Sequence, residues 1–140
     1  MTKQELMDAL RETARQYLDM DRETLLAAAK QAYENAVRVL RENGVRPETG
    51  VQLIAASLSG DGKLTAKEER LMRDLMGKAP AETLLESLAF LTADAYKAAG
   101  QLKTLSDTDK KTVLSLTACF LAADGDVNRD ELETMIEFLL

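Results

Sequence analysis

The sequence has no histidine and no tryptophan, one cysteine, two prolines and an aromatic share of only 4%. Each scarcity excludes something. Without histidine, the commonest general base and the commonest zinc ligand are missing. With Cys119 alone there is neither an intrachain disulfide nor a thiolate cluster. The opening "MTKQELMDAL" is charged throughout and lacks the apolar core of a secretory signal. The uncharged runs are far too short for a membrane span. A cytoplasmic chain without a membrane span is the expectation. Basic charge is also in deficit, with 18 Lys and Arg against 24 Asp and Glu, a net charge of −6. That balance argues against a nucleic-acid partner, because phosphates demand a basic face. Cations and basic protein surfaces are the welcome partners.

What is abundant is leucine and alanine, within 140 residues that are 46% hydrophobic and 30% charged. This mixture favours helices over strands and suits one domain spanning residues 1–140 with its own core. Thr2 and Glu5 have capping-box spacing, and Leu6, Leu10, Ala14, Tyr17 and Leu18 follow at one-turn steps. Asp19 to Asp21 offers a new cap, and Leu25, Leu26, Ala29, Ala32, Tyr33, Ala36, Val37 and Leu40 form the next stripe. Asn43-Gly44 stops it, so residues 2–44 are expected to form an N-terminal helical hairpin.

Pro47 marks the following connection. A first helix–turn–helix unit is expected over 48–77, with Gly60-Asp61-Gly62 at its turn, a Thr65–Glu68 capping box and Gly77 at its end. Pro80 suits the first turn of a linking helix over 80–100, ended or bent at Gly100. Ser106 with Asp109 then opens a second unit over 106–140, with its turn at Asp124-Gly125 and Asn128 capping the last helix. The expected fold is all-α, a compact bundle of about seven helices.

The two units are alike in sequence. A shift of 63 residues places Leu53 on Leu116, Ala55 on Ala118, Leu58 on Leu121 and Met72 on Met135. It also places Asp61 on Asp124, Gly62 on Gly125 and Glu68 on Glu131. Two copies are too few for a solenoid. A globular pair of hairpins related by a pseudo-twofold is expected instead.

The turns carry the back half of a calcium loop but not the front. An EF-hand needs oxygen ligands at positions 1, 3, 5, 7, 9 and 12, with glycine at 6. With Asp61-Gly62 and Asp124-Gly125 at positions 5 and 6, Glu68 and Glu131 fall at 12. Positions 1 and 3 are then Ser57 and Ser59 in one copy, Phe120 and Ala122 in the other. Phenylalanine and alanine side chains cannot coordinate a hard cation. Starting instead at Asp124 puts Arg129 where glycine makes the turn and Met135 where the bidentate glutamate belongs. Neither register completes the loop.

The segments "IAASLSGDGKLTAKEERLMRDLM" and "LTACFLAADGDVNRDELETMIEFL" resemble the tellurite-resistance TerB-like family, which includes the N-terminal helical domain of DjlA-type co-chaperones. The shared pattern is an apolar helix, an acidic glycine corner, an aliphatic residue, a capping residue, and a glutamate opening the next helix. Gly60 departs from the alanine or serine usual there. The resemblance implies a bundle of about seven helices with two pseudo-symmetric corners and a role in stress response. It also implies divalent-metal binding through the acidic residues.

The candidate metal ligands are Asp61 and Glu68 at the first corner and Asp124, Asp126 and Glu131 at the second, for calcium, magnesium, manganese or zinc. Asp130 adds charge to the second corner. The same residues have a plain structural account: aspartate accepts backbone N–H bonds in turns, and Glu68 and Glu131 complete capping boxes. Elsewhere, Cys119 reads as a small core residue, and Met72, Met76 and Met135 follow burial spacing. The run "DTDKK" at 107–111 reads as a solvated helix start, and Lys30, Arg38 and Arg41 as a weak basic strip. No Ser/His/Asp set or glycine-rich phosphate loop is present, so a non-enzymatic module is expected. The rival reading is a protein-interaction or assembly module, binding a protein partner or a second copy. Its alanine-rich second helix and its apolar ending "MIEFLL" both invite cover.

Overall fold

The computed structural model describes residues 2–58, 64–88, 93–125 and 136–137. The expected all-α fold is found, with seven helices and no strand among the described residues. They are α1 (Lys3–Leu18), α2 (Arg22–Glu42), α3 (Pro47–Leu58), α4 (Ala66–Met76), α5 (Lys78–Glu86), α6 (Ala93–Lys103) and α7 (Asp107–Asp124). None is long and apolar enough to cross a membrane.

The helix starts are written in short polar side chains that satisfy backbone N–H groups the helix itself leaves open. Thr2 Oγ1 accepts from Glu5 N–H at 3.1 Å, Asp21 from Thr24 N–H at 2.8 Å, and Ser106 Oγ from Asp109 N–H at 3.1 Å. Pro47 opens α3, where its fixed φ costs nothing and its missing N–H is not needed. Gly77 closes α4 and opens α5 at once, with φ 89° and ψ 157°. Only glycine holds that conformation without strain.

The centre of the bundle is α7. Every residue from Leu116 to Ala122 is buried, two full turns with no face left to solvent. That is possible because α1, α2 and α4 all pack against it. Phe120 is 1% exposed, and Leu6, Leu10, Leu40 and Leu116 are fully covered. Truncating Phe120 to alanine is expected to cost about 3–5 kcal/mol. On the other flank α3 packs against α6 and α2, and α4 against α5.

The direction of α2 follows from its ends. At its C-terminus the Asn43 side chain donates to Asp109 at 3.5 Å, in the first turn of α7. Its first turn instead borders a groove with Ala122 and Ala123, at the far end of α7. The two helices are therefore antiparallel.

Three expectations need correction. The linking helix over 80–100 is broken: α5 ends at Glu86, and Ser87 takes both its backbone N–H and its Oγ to the Leu84 carbonyl, the Oγ at 2.8 Å. A serine that binds the preceding turn competes with the helix, and Gln52 of α3 holds Ser87 from outside at 3.1 Å. Gly100 does not end a helix, because α6 runs through it to Lys103. Ala98, Ala99 and Leu102, all buried, outweigh the roughly 1 kcal/mol that an interior glycine costs. Within "DTDKK", Lys110 is buried at 7% exposure, on the same face of α7 as Leu114 and Thr117. The count of seven thus agrees for a different reason. One expected helix is two, and the last expected helix, from Asn128, lies outside the described residues except for helical Ile136 and Glu137.

Most equivalent positions described in both units share burial, but Ala56 is half-buried where Cys119 is fully buried, and Arg73 is half-buried where Ile136 is fully buried. Leu53 and Leu116, Ala55 and Ala118, and Leu58 and Leu121 are all 2% exposed or less. Ile54 and Thr117 are likewise both buried, one apolar and one carrying a hydroxyl.

Candidate functional site

At the first corner, Leu64 is buried and fixes the chain ahead of α4. Thr65 takes an extended conformation (φ −68°, ψ 162°), which turns its hydroxyl back over the helix start. Thr65 Oγ1 accepts from Glu68 N–H at 3.3 Å, and Glu68 Oε1 accepts from Thr65 N–H at 3.0 Å. The expected capping box is complete. Glu68 is 0% exposed, so one carboxylate oxygen is committed to the helix start and the side chain has no open face. Ser57, the first position of the incomplete calcium loop, is buried and donates its Oγ to the Ile54 carbonyl at 2.8 Å. Asp61 lies outside the described residues.

The second corner differs in charge placement. Asp124 is the last residue of α7 and is half-buried. Gly125 follows in the left-handed conformation (φ 82°, ψ 3°), and its N–H donates to the Leu121 and Ala122 carbonyls at 3.0 and 3.1 Å. The Asp124 carboxylate therefore stands at the negative pole of a helix whose last turn has no basic side chain. Like charge at a helix C-terminus is unfavourable, and a cation there relieves it. Asp126 and Glu131 lie outside the described residues. Among the described residues, no three Asp, Glu, Cys or His side chains are grouped as metal ligands.

Cys119 is fully buried in α7, and burial pushes its thiol up to about 12, against a smaller opposing effect of a hydrogen bond with Tyr17. A thiol so shifted carries no thiolate at neutral pH and is no nucleophile. Met72 is a core side chain at 1% exposure, whereas Met76 is half-buried. In the basic strip, Arg38 pairs with Glu42 at 3.7 Å in the open, a contact of little worth.

Two grooves were not legible in the sequence. One, of about 410 Å³, lies between α3 and α5 and is bordered by Arg46, Gln52, Met76, Leu84 and Asp94. The other, of about 330 Å³, lies where the first turn of α2, the body of α4 and the end of α7 meet. Leu25 and Leu26, part of the core stripe in sequence, are only half-covered and border it. Periodicity shows which face of a helix is apolar; it does not show how far neighbours cover it. The nearest signal was Lys67 and Arg70 beside Leu71, two cations one turn apart at the edge of an apolar stripe.

No protein-family model, curated protein or solved structure matches this chain.

Proposed function

We propose that the chain is a non-enzymatic, TerB-like helical module acting in stress response, whose second acidic corner binds a divalent cation. Its two helix–corner–helix units would be related by a pseudo-twofold, as their matched sequence and mostly matched burial favour. The first corner fits a metal poorly, since Glu68 is enclosed and engaged in its capping box. The second fits better. One observation carries the reading: Asp124 sits half-buried at the negative end of α7, where the acidic sequence of the second corner begins. Asp126 and Glu131 are the further oxygen donors the sequence offers, a hard set suited to magnesium, calcium or manganese. The bound ion would neutralise the corner and fix the chain beyond Gly125.

Melting curves in calcium, magnesium, manganese and zinc test this. A specific site raises the midpoint saturably, by the equivalent of about 2.7 kcal/mol at a hundredfold excess over Kd. Asp124→Asn with Asp126→Asn should abolish the rise, and Glu68→Gln should leave it intact. Identical melting of wild type and the Asp124/Asp126 variant at every metal concentration would remove cation binding from the reading.

A second reading, a protein-interaction or assembly module with purely structural corners, is favoured by the half-covered Leu25 and Leu26 beside the second groove. Sedimentation over a wide concentration range tests assembly with a second copy.

A further inference from the structure

We infer that the groove between α2, α4 and α7 docks an acidic amphipathic segment of a protein partner, an apolar residue in the cleft with carboxylates on either side. This rests on the interaction reading and is independent of any cation at the second corner.

The cleft is apolar at its base, where Leu25 and Leu26 of α2, Leu71 of α4 and Ala123 of α7 meet. Its rim is basic among the described residues: Arg22 on one wall, Lys67 and Arg70 on the other, with Asp74 as the one acid that lines it. That sign is the reverse of the chain as a whole, which carries −6. The cations are also uncommitted. Among the described residues Arg22, Lys67 and Arg70 are exposed and form no ion pair. Arg73, one turn further along α4, is held by Glu69 at 3.6 Å and Glu82 at 3.7 Å. Intrachain carboxylates thus neutralise one arginine of α4 and leave the pair that faces the groove.

The placement of the cations selects the occupant. A small molecule with one carboxylate calls for cations converging at one end of a pocket. Here they stand on opposite walls with apolar surface between them, which suits a segment bearing several carboxylates around an apolar anchor. A volume of about 330 Å³ accommodates one or two large apolar side chains rather than a whole helix. The mode is an amphipathic helix laid along a groove, with apolar contact giving affinity and charge giving orientation. Nucleic acid is disfavoured by the net charge, and a metal cation by the sign of the rim.

The test uses the full chain and fluorescence anisotropy of a labelled helical peptide of about a dozen residues. Its leucines fall at one-turn spacing and its remaining positions are glutamate. A control peptide carries lysine at each glutamate. The glutamate peptide should bind, the lysine peptide should not, and binding should weaken as salt rises. Lys67→Glu with Arg70→Glu, both exposed, should weaken binding at least about tenfold with little change in melting temperature. Lys78→Glu, exposed but off the groove, should leave it nearly unchanged. Equal affinity for both peptides, or a Lys67/Arg70 variant that binds like wild type, would overturn the proposal. So would saturable binding of dodecanoate with no peptide binding. Self-association that the charge reversal leaves intact, with no peptide binding, overturns the groove proposal and leaves the assembly reading standing.

Discussion

Thr65 and Glu68 bind each other twice across the first turn of α4, backbone N–H to side-chain oxygen in both directions, at 3.0 and 3.3 Å. Because Glu68 is fully buried, the box also closes the protein surface at that point. Thr65→Ala should cost about 1 kcal/mol, the usual loss of a cap. Glu68→Ala should cost more, about 2 kcal/mol, since it leaves a cavity and an unpaired Thr65 N–H. Glu68→Gln keeps the acceptor and should recover most of the loss. Urea titration of the four proteins, with the Thr65/Glu68 double variant, measures the coupling. A sum of single losses equal to the double loss would mean that the two residues act separately.

Two glycines predict changes of opposite sign. Gly77 holds φ 89° and ψ 157° between α4 and α5, where a side chain is strained whatever the space around it. Gly77→Ala should destabilise by about 1–3 kcal/mol. Gly100 lies within α6, exposed, with no atom within 4 Å of an added Cβ. Gly100→Ala should stabilise by about 0.5–1 kcal/mol. Paired thermal melts of the two variants are the check, and a stabilised Gly77→Ala would contradict the conformation described for the α4–α5 junction.

These two positions also show where sequence is informative. Gly77 was legible as a stop because it ends an apolar stripe and Pro80 follows three residues later. Gly100 was misleading because it too follows a stripe, and only the burial of Ala98, Ala99 and Leu102 shows that the helix continues. Caps were legible throughout, at Thr2, Asp21, Thr65 and Ser106, because each is a local hydrogen bond between residues three apart. What periodicity did not reveal was long-range. That Ser87 is gripped by Gln52, that α7 is enclosed on every side from Leu116 to Ala122, and that Leu25 and Leu26 border a groove all depend on residues distant in sequence. Of the candidate metal ligands, Glu68 was legible as a capping residue, and its carboxylate is buried in that box. Asp124 was legible as a turn residue and as a candidate ligand, but not as the last residue of α7, because that depends on where the helix stops.

Thr117 is 0% exposed, and its Oγ1 has no hydrogen-bond partner among the described residues. Its counterpart 63 residues earlier is Ile54, buried and apolar. Thr117→Val replaces the hydroxyl with a methyl of nearly the same size. It should therefore stabilise the protein by about 1 kcal/mol, the desolvation cost of an unmatched hydroxyl. Thr117→Ser keeps the hydroxyl and loses a buried methyl, and should destabilise by about 1 kcal/mol. If Thr117→Val instead lowered the midpoint of urea unfolding, the hydroxyl would have to be hydrogen-bonded in solution.

Cys119 makes alkaline stability a readout of the core. In the unfolded chain its thiol ionises near 9.0, whereas in the fold burial holds it neutral up to about 12. Above the unfolded value, the unfolded state loses a proton that the folded state keeps. Stability from this group is thus complete below about pH 9 and falls as pH rises towards 12, by no more than about 1.4 kcal/mol per pH unit. Tyr17, half-buried against it, is raised by burial first and by the Cys119 charge second, and adds a decline of the same sign. Cys119→Ala should cost about 1 kcal/mol at neutral pH and flatten the descent between about pH 9 and 10.5, leaving the shares of Tyr17 and of Tyr33, which burial also raises. The same burial predicts that iodoacetamide modifies native Cys119 at pH 7.5 only through unfolding, so the rate should rise with urea along the unfolding curve. Rapid modification without denaturant, at a rate indifferent to urea, would mean that α7 is not enclosed as described.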